Sequence, residues 1–399
     1  MSSGDLAESY DVVCVGGSLM GSSVAFFLSE NPDFDGDVLV VEPDWSYENT
    51  STMRSQASIR EQFSNPVNIR ASQFAMDFIA DFHNNVQVEG AAPEINFIGT
   101  GYLFLAKSDT QLASLRSVHE VQLAEHADVQ MLSQAQVQEK FAYMNTENIV
   151  GARFGGKREG SLDAWALLQG FRQRARHNGV RYIRDRVIGL ERAGNRVMSV
   201  RLESGRSVGC GYVVNAAGPR AKLVAEMVGL RLPVEPRSRS SFVFACRESI
   251  DQLVPLTITP EGVHFRRDQQ NYVTGTPPLD DRVVDYNDLA VRTEQFEDQI
   301  WPVLAAYVPQ FDRISVVASW GGQYAYNVLD QNMIVGTGSE IENFIFANGF
   351  SGHGLQQSPA VGRGVSELVT YGEYRTLDLS ELGFERVRRN EPFLETAII

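Results

Sequence analysis

Lysine is the scarcest charge carrier in this chain: of 35 basic residues only Lys107, Lys140, Lys157 and Lys222 are lysines, against 50 carboxylates, for a net charge of −15. A surface this acidic excludes general binding to nucleic-acid phosphates, which needs clustered cations, so no nucleic-acid partner is expected and the arginines are read one by one. Cysteine is also scarce. Cys14, Cys210 and Cys246 sit in apolar, strand-like surroundings without paired spacing, which argues against disulfides and metal sites and for small core residues. No stretch approaches the roughly 18 apolar residues of a membrane span. Residues Met1 to Tyr10 are polar, with neither a basic nor an apolar leader region. A soluble, cytoplasmic chain that is not an integral membrane protein is therefore expected, with 399 residues leaving room for two domains.

What is present is glycine at the ends of apolar runs. Tyr10 to Val15 leads into Gly16-Gly17-Ser18-Leu19-Met20-Gly21, and Val38 to Val41 ends in Glu42. A strand that breaks into glycine and opens a helix aims N–H groups at negative charge, which suits a dinucleotide pyrophosphate; an acidic residue about 20 positions on suits the adenosine ribose. Glu42 thus favours FAD or NAD over NADP. Ser18 stands where the fingerprint has its middle glycine, so the cofactor approaches past a small hydroxyl. Near the other end, Phe344 to Asn348 leads into Gly349-Phe350-Ser351-Gly352-His353-Gly354. Two such turns in one chain point to one large cofactor, FAD, shared by the opening and closing segments. Tyr212-Val213-Val214-Asn215, ending in Ala216-Ala217-Gly218-Pro219, reads as a further buried strand whose end comes close to something bulky.

Between these lies a mixed pattern. A Ser- and Thr-rich run from Pro43 ends in Ile59-Arg60, and helices are predicted over 68–83, with Phe74, Phe78 and Phe82 on a core face, and over 110–126 and 163–178. Strands are predicted at 97–100, 102–105 and 179–183, a meander at 187–190 and 197–202, and a strand-rich stretch over 232–320 with a helix near 293–307. No linker separates them. The expected fold is α/β, a Rossmann-type FAD-binding domain (1–90, 151–228 and 321–385) interleaved with an α+β substrate domain built on an antiparallel sheet (91–150 and 229–320), followed by a tail at 386–399.

Taken together, the Gly16–Gly21 turn, Glu42, Ile59-Arg60, Val213 to Gly218 and Asn348 to Gln357 resemble the D-amino-acid oxidase superfamily of FAD enzymes, in the branch of monomeric sarcosine oxidase and glycine oxidase. The stretch from Trp320 to Gly364 is most similar to mitochondrial FAD-dependent oxidoreductases implicated in respiratory complex I assembly. The resemblance implies a bound FAD and oxidation of a C–N bond in an N-substituted amino acid, with hydride passing to flavin N5 and the imine hydrolysing in water. It also implies cofactor contacts from Gly16, Gly17, Ser18, Met20, Gly21, Glu42, Pro43, Ser51, Thr52, Ser55, Gln56, Ala57, Val187, Ala216, Ala217, Gly218, Gly322, Gly349, Gly352, His353, Gly354, Leu355 and Gln356. Arg60 falls where that branch holds a substrate carboxylate, and Gln356 replaces its second, lysine contact. N–H groups around Gly352 to Gly354 supply positive potential at the flavin's pyrimidine edge, and His353 adds to it. His264 lies on a strand facing the flavin, and Tyr272, Tyr324 and Tyr326 are candidate walls. The strand Asn271 to Gly275 lacks the lysine that speeds reaction with oxygen, so the acceptor is O2 or a quinone or electron-transfer protein. Gln323 stands about where covalent flavin attachment in that branch needs a cysteine, so FAD is expected to be non-covalent. Alternatives are a flavoprotein with mainly an assembly role, or a D-amino-acid or hydroxy-acid dehydrogenase of the same superfamily.

Overall fold

A computed structural model describes residues 6–397; Met1–Asp5 of the polar start and Ile398–Ile399 of the expected tail lie outside them. Strand Ser9–Val15 is central to the first sheet because Val12, Val13 and Cys14 are apolar on both faces and wholly buried, as a parallel strand covered on both sides requires. It pairs in parallel with Val38–Glu42 on one side and Ser207–Asn215 on the other. Arg181–Arg184 extends the sheet beyond Val38–Glu42. Phe344–Asn348 lies beside Ser207–Asn215, with Ile334–Thr337 antiparallel at the edge. The meander Val187–Ala193 and Arg196–Leu202 joins Ser207–Asn215 from its other end.

Helix Leu19–Ser29 is buried almost all round, because helices Ala164–His177 and Gly354–Tyr371 flank it above the sheet. Small residues set the second crossing: a Cβ on Gly362 would lie 2.2 Å from Ser23 Oγ, which itself donates to Ser358 O at 2.7 Å. Phe26, Phe27, Phe78, Phe82 and Phe171 fill the layer beneath; of the expected phenylalanine face Phe78 and Phe82 are core and Phe74 is partly buried, and the helix expected over 68–83 ends at Ala80, with Phe82 opening a separate short helix, Phe82–Val86. The second sheet is mostly antiparallel and is dominated by the pair Val234–Cys246 and Ile314–Asn327, continuing through Asn271–Gly275, His264–Asp268 and Leu256–Ile258 to Tyr102–Ala106.

Several local expectations are corrected. Phe97–Thr100 is not a strand; it contributes one bridge, from Ile98 to Ser161. Gly151–Gly155, grouped by sequence with the nucleotide segments, pairs in the second sheet with Tyr102–Ala106 and Val129–Ser133, a pairing that no local pattern announces. Strand Ile314–Asn327 runs unbroken through residue 321, where the first domain was expected to resume. The helix near 293–307 is split into a π-helical turn, Phe296–Ile300, and Trp301–Tyr307, because Pro302 donates no backbone hydrogen bond. Cys14 is core, whereas Cys210 and Cys246 are only half-buried. The described part of the expected tail, residues 386–397, is no appendage: Arg386 pairs with Asp330 at 2.7 Å with both side chains buried.

Candidate active site

The first glycine turn is tight for identifiable reasons. Gly16 has φ +100°, and a Cβ there would sit 2.5 Å from Ala216 O, so the turn and the Ala216-Ala217-Gly218 strand end touch through backbone. A Cβ on Gly21 would lie 1.9 Å from Gly16 O. Gly17 N donates to Glu42 Oε2 at 2.8 Å and Asp44 N donates to Oε1 at 3.0 Å, so the carboxylate pins its own surroundings and keeps a lone pair on each oxygen. Burial pushes the Glu42 pKa up, opposed by those two N–H groups. Ser18 is the N-cap residue of Leu19–Ser29, yet its hydroxyl caps nothing; it is buried without a partner, as is that of Ser51. Met20 and Val187 are buried beside these elements, and Pro43 follows directly on Glu42.

The Ser- and Thr-rich loop turns back on itself, with Ser55 Oγ donating to Thr52 O at 2.7 Å and Ala57 N to Ser55 Oγ at 3.2 Å. Gln56 reaches the second sheet, donating to Ser241 Oγ and Thr274 O, and leaves Oε1 buried without a partner. Gly322 packs against the Arg54 side chain. At the closing turn, Gly349 has φ +67° and Gly352 φ +100°, and a Cβ on Gly352 would lie 2.6 Å from the Tyr324 ring. His353 then stands at the N-cap position of the 18-residue helix Gly354–Tyr371 without a side-chain cap bond, and the first turn carries Leu355 and Gln356. Two glycine cradles with no room for a Cβ, the orphaned Ser18 hydroxyl at the first and an open helix N-terminus at the second suit an extended dinucleotide. The residues present fit FAD.

Beside the closing turn the structure gathers Arg60, His353 and Gln356. Gln356 Oε1 accepts from Arg60 N at 2.7 Å. The Arg60 guanidinium is buried over the Phe63 ring, 4.2 Å from its centroid, and donates to the carbonyls of Gln62 and Ala397. It also lies 3.2 Å from His353 Nε2. An arginine has no acceptor, so Nε2 accepts and the His353 proton sits on Nδ1, an assignment from the network. Two expectations change here. The Arg60 fork does not stand open to a ligand, and burial together with Arg60 holds the His353 pKa well below its ordinary value, so the imidazole is neutral and adds no positive charge.

His264 is likewise neutral, pushed down to about 4 by burial and by Arg266 and Arg239; its Nδ1 has no partner. Tyr324 faces Gly352, with Arg239 over its ring at 4.6 Å. Tyr326 lies under Arg237 instead, and Tyr272 stacks on Phe244 in the core of the second domain, so it is no wall of this site.

Sequence reasoning missed what lies under Arg60. Gln62 accepts from Arg60 through its carbonyl and from Arg153 Nε through Oε1 at 2.8 Å, and donates to Glu159 Oε2 at 2.7 Å. Glu159 also accepts from Glu61 N at 2.8 Å. The only local signal is Gly155, where a Cβ would lie 2.0 Å from Glu159 Oε2; the run Gly155 to Gly160 otherwise reads as a solvated turn. Burial pushes the Glu159 pKa from 4.5 up to about 7, while Gln62, the Glu61 N–H and Arg60 pull it down. Between those values the folded chain binds more protons than the unfolded one, so stability should fall as pH rises from 4.5 to about 7 and level off above. Urea midpoints of wild type and Glu159→Gln across that range test this; parallel slopes would rule it out.

A family model described as FAD dependent oxidoreductase (DAO) matches residues 11–368. The chain belongs to that family. It is 37% identical over 432 residues to FAD-dependent oxidoreductase domain-containing protein 1 of Xenopus laevis, covering 99% of this chain and 86% of that protein. It is 26% identical to sarcosine oxidase subunit beta of Rhizobium meliloti (strain 1021), covering 91% and 85%. The solved L-proline dehydrogenase from P. horikoshii superposes with a TM-score of 0.85 at 23% identity, covering 97% and 100%, a likeness of fold. This chain is thus an FAD-dependent oxidoreductase with the α/β fold of that family. No described helix is long and apolar enough to cross a membrane.

Proposed function

We propose that the chain oxidises the C–N bond of an N-substituted amino acid, with the substrate carboxylate taken by Arg60. The observation that carries this is a buried guanidinium bonded to the residue that opens helix Gly354–Tyr371, opposite Tyr324 of the second sheet. A planar donor fork suits a carboxylate and selects for it by charge-assisted bonds. When bound, FAD supplies the hydride acceptor. Gly16, Gly17, Ser18 and Gly21 would hold its pyrophosphate, Glu42 its ribose, and the N–H groups at Gly352 to Gly354 its pyrimidine edge. Neutral His353 orients Arg60, and the unpartnered Nδ1 of His264 is the polar atom offered by the second sheet. The imine product leaves by hydrolysis.

Gln323 donates to the carbonyls of Asp285 and Asp288 at 2.8 and 2.9 Å, and burial in the sheet pushes the Cys14 thiol up to about 12, so neither supports covalent attachment. Acid precipitation should leave a colourless pellet and a yellow supernatant; a yellow pellet would show a covalent link. Thr274 and its neighbours place no lysine on the strand Asn271–Gly275, which supports a quinone or an electron-transfer protein over O2 as acceptor. Anaerobic addition of N-alkyl amino acids should bleach the visible flavin band, and air should restore it slowly. A band untouched by N-alkyl amino acids, D-amino acids and hydroxy acids alike would remove the enzymatic reading. The committed donors of Arg60 favour a second one, a flavoprotein that mainly binds a partner, which a stoichiometric protein in a pull-down without turnover would support.

A further inference from the structure

Resting on the proposed role of Arg60, we propose that the segment Phe393–Ala397 is an internal ligand of that guanidinium, latched by Glu395, and that it sets specificity by admitting only ligands able to displace it. One N–H of Arg60 Nη2 faces the Ala397 carbonyl and the other faces His353, so this nitrogen has nothing left to give a substrate. The Ala397 carbonyl is held there by a buried carboxylate. Glu395 Oε1 accepts from Ala397 N at 2.9 Å, Ser64 N at 2.9 Å and Ser64 Oγ at 2.6 Å, and Oε2 accepts from Asn68 Nδ2 at 2.8 Å. Upstream, Phe393 N donates to Asp330 Oδ2 at 3.0 Å and Glu395 N to Asp330 O at 3.1 Å. The segment is therefore fixed at both ends, and its last described carbonyl lies in the place a carboxylate oxygen would take.

Charge decides the competition. A carboxylate on a guanidinium adds the attraction of two opposite full charges and a bidentate fit that a lone backbone carbonyl does not offer, whereas a neutral ligand gains nothing over Ala397. Carboxylates displace the segment and uncharged amines of the same shape do not. Occupancy by the internal ligand lowers apparent affinity by the fraction of chain in which Arg60 is free, so loosening the latch raises affinity.

The test uses FAD-loaded full-length protein titrated with propionate, with propionamide as the neutral control, followed by the flavin spectrum. Glu395→Gln keeps the size of the side chain but turns a donor toward Ser64 or Asn68, and should lower the propionate Kd about tenfold while propionamide stays without effect in both proteins. In wild type, saturating propionate should speed amide hydrogen exchange at residues 393–397, a readout that needs neither turnover nor the variant. Unchanged exchange, an equal or weaker Kd in the variant, or no saturable propionate binding overturns the internal-ligand proposal. Failure of the oxidase reading shows separately, as a flavin that no amino acid bleaches.

Discussion

Gly21→Ala should yield protein that purifies with under about a tenth of the wild-type flavin. The added Cβ would lie 1.9 Å from Gly16 O, a backbone atom of the turn that would hold the pyrophosphate, so the helix must move away from the strand end. Overpacking of this kind costs typically 1–3 kcal/mol, and about 1.4 kcal/mol is tenfold in binding. The measurement is visible absorbance per mole of protein, before and after incubation with excess FAD. Full occupancy in the variant would mean that this turn does not seat the cofactor. Gly352→Ala attacks the other cradle, where φ is +100° and the Tyr324 ring stands 2.6 Å from the new methyl, and should lose flavin as well.

The second large effect belongs to Arg386→Met. Arg386 donates to Asp330 Oδ2 at 2.7 Å and to Met333 O at 2.7 Å, and Asp330 is wholly buried. Removing one partner of a buried ion pair leaves an uncompensated charge, at a cost of about 3–5 kcal/mol. The urea midpoint should drop accordingly at unchanged slope. Because the same carboxylate accepts from Phe393 N and Asn332 N, the Phe393–Ala397 segment should also lose protection from hydrogen exchange. A midpoint within error of wild type would show that the pair adds nothing to stability.

These two sites differ in how far the sequence reveals them. The glycine turns are legible because their chemistry is local: strand, glycine and helix follow within a dozen residues, and Glu42 closes the unit 25 positions from Gly17. Arg60 is legible as a residue but not as an environment. Beside the neighbouring Gln62 carbonyl and Phe63 ring, its contacts come from His353 and Ala397, 293 and 337 positions away, and a backbone carbonyl leaves no mark in a sequence. Glu159 and Glu395 are hidden for the same reason, the first in a polar run and the second near the end of the sequence, each enclosed only by distant partners, Gln62 for one and Ser64 and Asn68 for the other. Gly151–Gly155 falls in the other domain than expected because a short glycine-flanked run without alternation carries no local sign of its sheet, and only long-range pairing selects one.

The way the first sheet is assembled has a consequence for how this protein is made. Ser9–Val15 precedes one neighbour, Ser207–Asn215, by some two hundred residues, and that strand's own neighbour, Phe344–Asn348, follows more than a hundred residues later still. Until these late strands pair, the apolar residues Val12, Val13 and Cys14 have no complete layer to enter. Folding through such distant pairings is slow, and the two glycine turns come together only once Phe344–Asn348 has joined Ser207–Asn215.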